Sequence, residues 1–95
     1  MANKLRMIVL DVLKPHKPDI IEFGIAVEKI SGITCLNLTV YAVDEKTESI
    51  KMALEGKSLD MNKIKKTIED FGAVIHSVDK AVIGESKIIQ LPDLK

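Results

Sequence analysis

The stretch LRMIVLDVLKPHKPDII, residues 5–21, changes its period half-way along, and that change decides how the chain is built. Leu5 to Leu13 is β-rich and apolar on both parities, as a strand covered on both faces would be. KPHKPD then stops the strand, because proline lacks a ladder donor and turns the residue before it away from helix. From Pro18 onward Ile20, Phe23, Gly24, Val27 and Ile30 recur at helical spacing. Pro18 suits a first turn, Asp19 and Glu22 suit the positive helix start, and Gly32 suits the end. The spacing therefore predicts a first helix over 18–31.

ITCLNLTVYAV (33–43) alternates, with Leu36, Leu38, Val40 and Ala42 on one face and Cys35, Asn37, Thr39 and Tyr41 on the other. DEKTE is a short polar turn, and SIKMALEG (49–56) alternates again with Ile50, Met52 and Leu54 inward, so the pair reads as a hairpin. Ser58 or Asp60 can cap a second helix whose core stripe is Met61, Ile64, Ile68 and Phe71 and which Gly72 ends. Lys63, Lys65 and Lys66 read as its solvated face. AVIHSVDKAVIG, from Ala73, is the last strand.

KISGITCL and EDFGAVIH mark the same helix–glycine–strand joint in two halves. With right-handed crossovers this βαββαβ order gives an α+β, ferredoxin-like sandwich. Its four-stranded antiparallel sheet has order 4-1-3-2 and carries both helices on one face. Residues 1–95 read as a single domain with a core over about 4–85 and a C-terminal tail over 86–95.

Fourteen basic residues balance fourteen acidic ones, so no net field steers the chain toward nucleic acid or anionic lipid. Only Arg6 among the basic residues is an arginine, which disfavours planar phosphate recognition. RNA binding by base stacking is not expected either, since only Phe23, Phe71 and Tyr41 are aromatic. No apolar run approaches the roughly 20 residues that span a bilayer, and a cytoplasmic protein without membrane contact is expected. The lone Cys35 excludes a disulfide framework and a thiolate cage. No Gly-rich nucleotide loop or evident nucleophile–base pair is present.

With Ile8, Leu10 and Val12 toward the helices, the open face receives Leu5, Met7, Val9, Asp11 and Leu13, with Cys35, Thr39, Tyr41 and Val43 from the second strand. So much uncovered apolar surface predicts association with further copies of the chain, and KIIQL in the tail suits pairing with a neighbour's strand edge. Strand four beside strand one would bring Asp11 and His16 near His76, with Asp79 beyond. Imidazoles and carboxylates suit a small ligand, and Asp11, His76 and Asp79 suit a divalent cation. His76 and Asp79 share a face only if a bulge falls near Val78. The bland readings stand beside this: His16 a solvated loop residue, His76 bonded to a backbone carbonyl, and Asp11 neutralised by Lys51 or Lys80.

At LDVLKPHKPDIIEF, GITCLNLTVYAVDEKTESIKMALEG and GAVIHSVDKAVIG the chain resembles the archaeal family numbered 211 among the domains of unknown function. LDVLKPH and IHSVD are the most specific parts of a resemblance covering residues 4 to 85. It implies a small ferredoxin-like protein that forms closed homo-oligomers, and transfers no catalytic residues. The expected function is a non-catalytic oligomeric module for a small ligand or divalent cation. The alternatives are an acid–base enzyme using His16 or His76 and a purely structural or protein-interaction ring.

Overall fold

The computed structural model describes residues 3–85; the tail segment KIIQL lies outside them. The elements are β1 (Leu5–Pro15), α1 (Ile20–Glu28), β2 (Ile33–Val43), β3 (Thr47–Gly56), α2 (Met61–Asp70) and β4 (Val74–Ile83). They form an antiparallel sheet of order β2-β3-β1-β4, the predicted ferredoxin-like topology.

One parity of the central strands makes the core. Ile8, Leu10 and Val12 of β1 and Ile50, Met52 and Leu54 of β3 are buried with Phe23 and Val27 of α1 and Ile64 and Ile68 of α2. Full burial of each such side chain contributes about 1.5–3 kcal/mol. The rings of Phe23 and Phe71 meet edge to face at 5.8 Å where the helices adjoin.

The first helix is shorter than its periodicity suggests. Asp19, with extended backbone, is the N-cap, and its carboxylate accepts the Glu22 N–H at 2.8 Å, so Pro18 lies just before the helix. Asp60, rather than Ser58, caps α2 through the Lys63 N–H at 3.2 Å. Gly32 and Gly72, the glycines of the repeated joint, have φ of +96° and +81°, the left-handed region where a side chain is strained.

Three residues fall on the other side from that expected, and each shift comes from irregular pairing. Arg6 is the extra residue where the β1–β4 register slips between Leu5 and Met7, so Leu5 packs against the core. The Arg6 guanidinium donates to the carbonyls of Gly84, Lys57 and Glu85, tying the ends of β3 and β4 together. In β2 the register slips between Val40 and Ala42, so Ala42 pairs with Ser49 and Val43 with Glu48. Ala42 thereby moves to the open face and Val43 leaves it.

β1 also runs on to Pro15, past the expected stop at Leu13. Beyond the Leu13–Val74 pair only β3 flanks it, the edge-like setting in which proline is tolerated.

Gly56 marks a close backbone approach, for a Cβ there would lie 2.0 Å from the Gly32 carbonyl oxygen and 2.7 Å from Leu59 Cδ2. Gly56→Ala must push the end of β3 away from the α1–β2 turn. A loss of about 2–3 kcal/mol is expected in denaturant unfolding, and a cost within a few tenths would show that the turn yields freely.

Candidate functional site

The face of the sheet away from the helices carries the polar cluster that includes Asp11. The unshifted β1–β3 register sets Asp11 opposite Lys51. Besides the slip at Arg6, the β1–β4 register breaks twice more, between Val9 and Leu10 and between Asp11 and Val12, which makes Asp79 and His76 the extra residues of β4. These bulges turn Asp79 toward Lys51 and set His76 beside Asp11 at the rim of a hollow. The condition that the sequence imposed, a bulge next to Val78, is thus met.

Lys51 lies between the two carboxylates, 3.2 Å from Asp11 Oδ2 and in hydrogen-bond contact with Asp79. The Tyr41 hydroxyl donates to the Asp11 carboxylate, with its oxygens at 2.7 and 2.8 Å, and the Ser77 hydroxyl donates to Asp79 at 2.7 Å. Of the partners foreseen for Asp11, Lys51 is the one in place. Tyr41 is a second partner that strand parity could have suggested, since it lies on the open face two positions from Thr39, which pairs with Lys51.

These contacts set the ionisation of the cluster. The Tyr41 hydroxyl, with Lys51, holds the Asp11 carboxyl below its usual range against some burial. Lys51 and then Ser77 do the same for Asp79. The Lys51 ammonium is raised by Asp79 and Asp11, and the Tyr41 phenol is raised by Asp11. Two carboxylates facing one ammonium leave the cluster with one net negative charge. Beside it lies a hollow of about 250 Å³ lined by Asp11, Val12, Leu13, Tyr41, Ser49 and His76.

His16 is not brought to this cluster. It stands in the β1–α1 loop, where the Lys17–Pro18 peptide is cis, and bonds Glu48 and the carbonyls of Asp44 and Glu45. The four residues grouped from the sequence thus divide into Asp11, His76 and Asp79 on the open face and His16 at the β2–β3 turn. Among the described residues, no three His, Cys, Asp or Glu side chains are clustered so as to hold a metal ion.

The residue that sequence reasoning passed over is Lys14. It continues the buried parity of Ile8, Leu10 and Val12 and is fully buried. Its ammonium donates to the Pro15 carbonyl at 2.7 Å and to the Pro18 carbonyl, and lies 3.2 Å from Glu48 Oε1. That last contact is an ion pair without hydrogen-bond alignment. Burial works to raise the Glu48 carboxyl, but His16 and Lys14 outweigh it and leave it below its usual range. The available signal was the i, i+2 alternation itself, which does not stop at a charged residue when a half-buried acid awaits it.

Lys14→Met strips Glu48 and two carbonyls of their partner and costs about 3 kcal/mol, the low end for a broken buried pair because His16 remains. Lys14→Met with Glu48→Leu regains part of that in a double-mutant cycle, and additive losses would deny the coupling. Because Asp11, Asp79 and Glu48 have lowered folded values, their contribution is complete above the ordinary carboxylate range and is lost as pH falls through those values. Tyr41→Phe moves the Asp11 midpoint upward in carboxyl-carbon NMR, and an unmoved midpoint would contradict the assigned cause.

The model of domain-of-unknown-function family 211, described as "Uncharacterized ArCR", matches residues 6–94, which extends the resemblance into the C-terminal segment. The chain is also similar to the uncharacterized protein MJ0319 of Methanocaldococcus jannaschii, at 44% identity over 88 residues that cover 93% of this chain and 90% of that protein. With the βαββαβ fold in place and both matches spanning nearly its whole length, the chain belongs to domain-of-unknown-function family 211.

Proposed function

We propose that the chain is a non-catalytic module that associates with its own copies and holds a small ligand in the hollow beside Asp11. The observation that carries this reading is the open sheet face, where a net negative cluster sits among apolar side chains. Leu13 is 43% and Tyr41 53% exposed there, a surface better suited to contact than to solvent. On the helix side α1 exposes Ile21 and Ile25, one turn apart. Two different apolar surfaces suit head-to-tail association, and a chain of zero net charge opposes it with no bulk repulsion.

The ligand favoured by this chemistry is cationic or rich in hydroxyl donors, since Asp11 and the Ser49 and Tyr41 hydroxyls border the hollow. A divalent cation would have to displace the Lys51 ammonium from between Asp11 and Asp79. A second reading, a purely structural or protein-interaction ring, is favoured by one observation: Asp11, Lys51, Asp79 and Tyr41 already satisfy one another.

Native mass spectrometry of protein from its own host, purified without chelator, is expected to show a multiple of the chain mass with a retained small molecule or ion. That ligand at a hundredfold excess over Kd should stabilise the fold by about 2.7 kcal/mol, a rise in Tm of roughly 10 °C or more that Asp11→Asn abolishes. A single-chain mass at micromolar concentration would remove the association. Oligomers indifferent to a broad panel of divalent cations and metabolites would select the structural ring.

A further inference from the structure

The β1–α1 loop and the β2–β3 turn are joined by one side chain. His16 Nδ1 lies 3.3 Å from Glu48 Oε2, and Nε2 lies 2.9 and 3.0 Å from the carbonyl oxygens of Asp44 and Glu45. All of these partners are acceptors. A neutral imidazole has one N–H, so either tautomer would aim a lone pair at a carboxylate or at two carbonyls. Only the imidazolium, with a donor on each nitrogen, completes the set.

We infer that His16 is a proton-operated clasp, closed as the imidazolium and released on deprotonation, which couples the β1–α1 loop to the β2–β3 turn. Its surroundings favour the charged ring. From β3 comes Glu48, whose other oxygen faces the buried Lys14 ammonium of β1, so the carboxylate is held ionised and in place. The turn contributes the two carbonyls and the charges of Asp44, Glu45 and Lys46, and the loop itself carries Lys17. The hydrogen bond that the ring donates to Glu48, then those to the carbonyls of Glu45 and Asp44, raise the His16 value above that of an ordinary imidazole.

The sign follows from two groups. The folded His16 value is raised, so the clasp's contribution is complete below the ordinary imidazole range and is lost as pH rises through the raised value. Glu48 is lowered, so the contribution is also lost at the acid end as pH falls through the Glu48 value. The clasp therefore works in a window with both edges defined by chemistry. It is also adjacent to the hollow, because Glu48 precedes Ser49 and Tyr41 lies three residues before Asp44.

The test is ring-nitrogen NMR of His16 in the full chain, with amide exchange of Asp44, whose N–H donates to the Thr47 carbonyl at 2.8 Å across the turn. Below the midpoint both ring nitrogens should carry protons. Glu48→Gln should move the midpoint downward. Protection of the Asp44 amide, corrected for intrinsic base catalysis, should fall by up to about tenfold per pH unit between the open and closed midpoints. His16→Gln should remove that pH dependence while leaving the core resonances in place. A single neutral tautomer below the ordinary imidazole range, a midpoint indifferent to Glu48→Gln, or Asp44 protection that ignores the ring's titration would each overturn the clasp.

Discussion

The unbroken ladder between β1 and β3 is the constraint on which the other features depend. It runs from Met7 opposite Glu55 to Pro15 opposite Thr47 without a slip, and both strands are central. Its parity therefore assigns every side chain within it to the helices or to the open face at once. Ile8, Leu10 and Val12 meet Leu54, Met52 and Ile50 on the helix side, and Asp11 meets Lys51 on the other. The same parity carries Lys14 inward and opposite Glu48, so the buried lysine's ion pair follows from the register that makes the core.

Apart from the extra residue Arg6 near the start of β1, the outer strands are where the regular pattern gives way. β4 is bulged at His76 and Asp79, and β2 slips between Val40 and Ala42. Edge strands can absorb an extra residue because only one ladder is disturbed, and each such residue re-aims the side chains around it. The open-face cluster combines a register-fixed pair, Asp11 and Lys51, with Asp79, which a bulge delivers. The two charged groupings, one on the open face and one at the loop and turn, differ in kind. The first is half-exposed and composed entirely of side chains, whereas the second is anchored by a fully buried lysine and by backbone carbonyls.

Much of this was legible in the sequence. The period change after Leu13, the alternation of residues 33–43 and 49–56, and the repeated helix–glycine–strand joint lead to the fold and the strand order, because hydrophobic periodicity reports local geometry directly. Both helices were legible, though α1 begins after Asp19 because a cap depends on backbone angles rather than on residue type alone. Asp11 was recognisable as the acid that needs a partner, since an ionised group in a central strand is costly without one.

The faces of Leu5, Ala42 and Val43, the meeting of Asp79 with Lys51, and the separation of His16 from His76 were decided only by the tertiary structure. Each depends on a bulge or on a loop contact between residues about 30 apart in the chain, and periodicity carries no information about either. Lys14 shows the same division most plainly. Its type reads as solvent-exposed in any local window, yet its place in the β1 alternation puts it in the interior. Burial there is sustained only because Glu48 and the proline carbonyls converge on its ammonium once the sheet has formed.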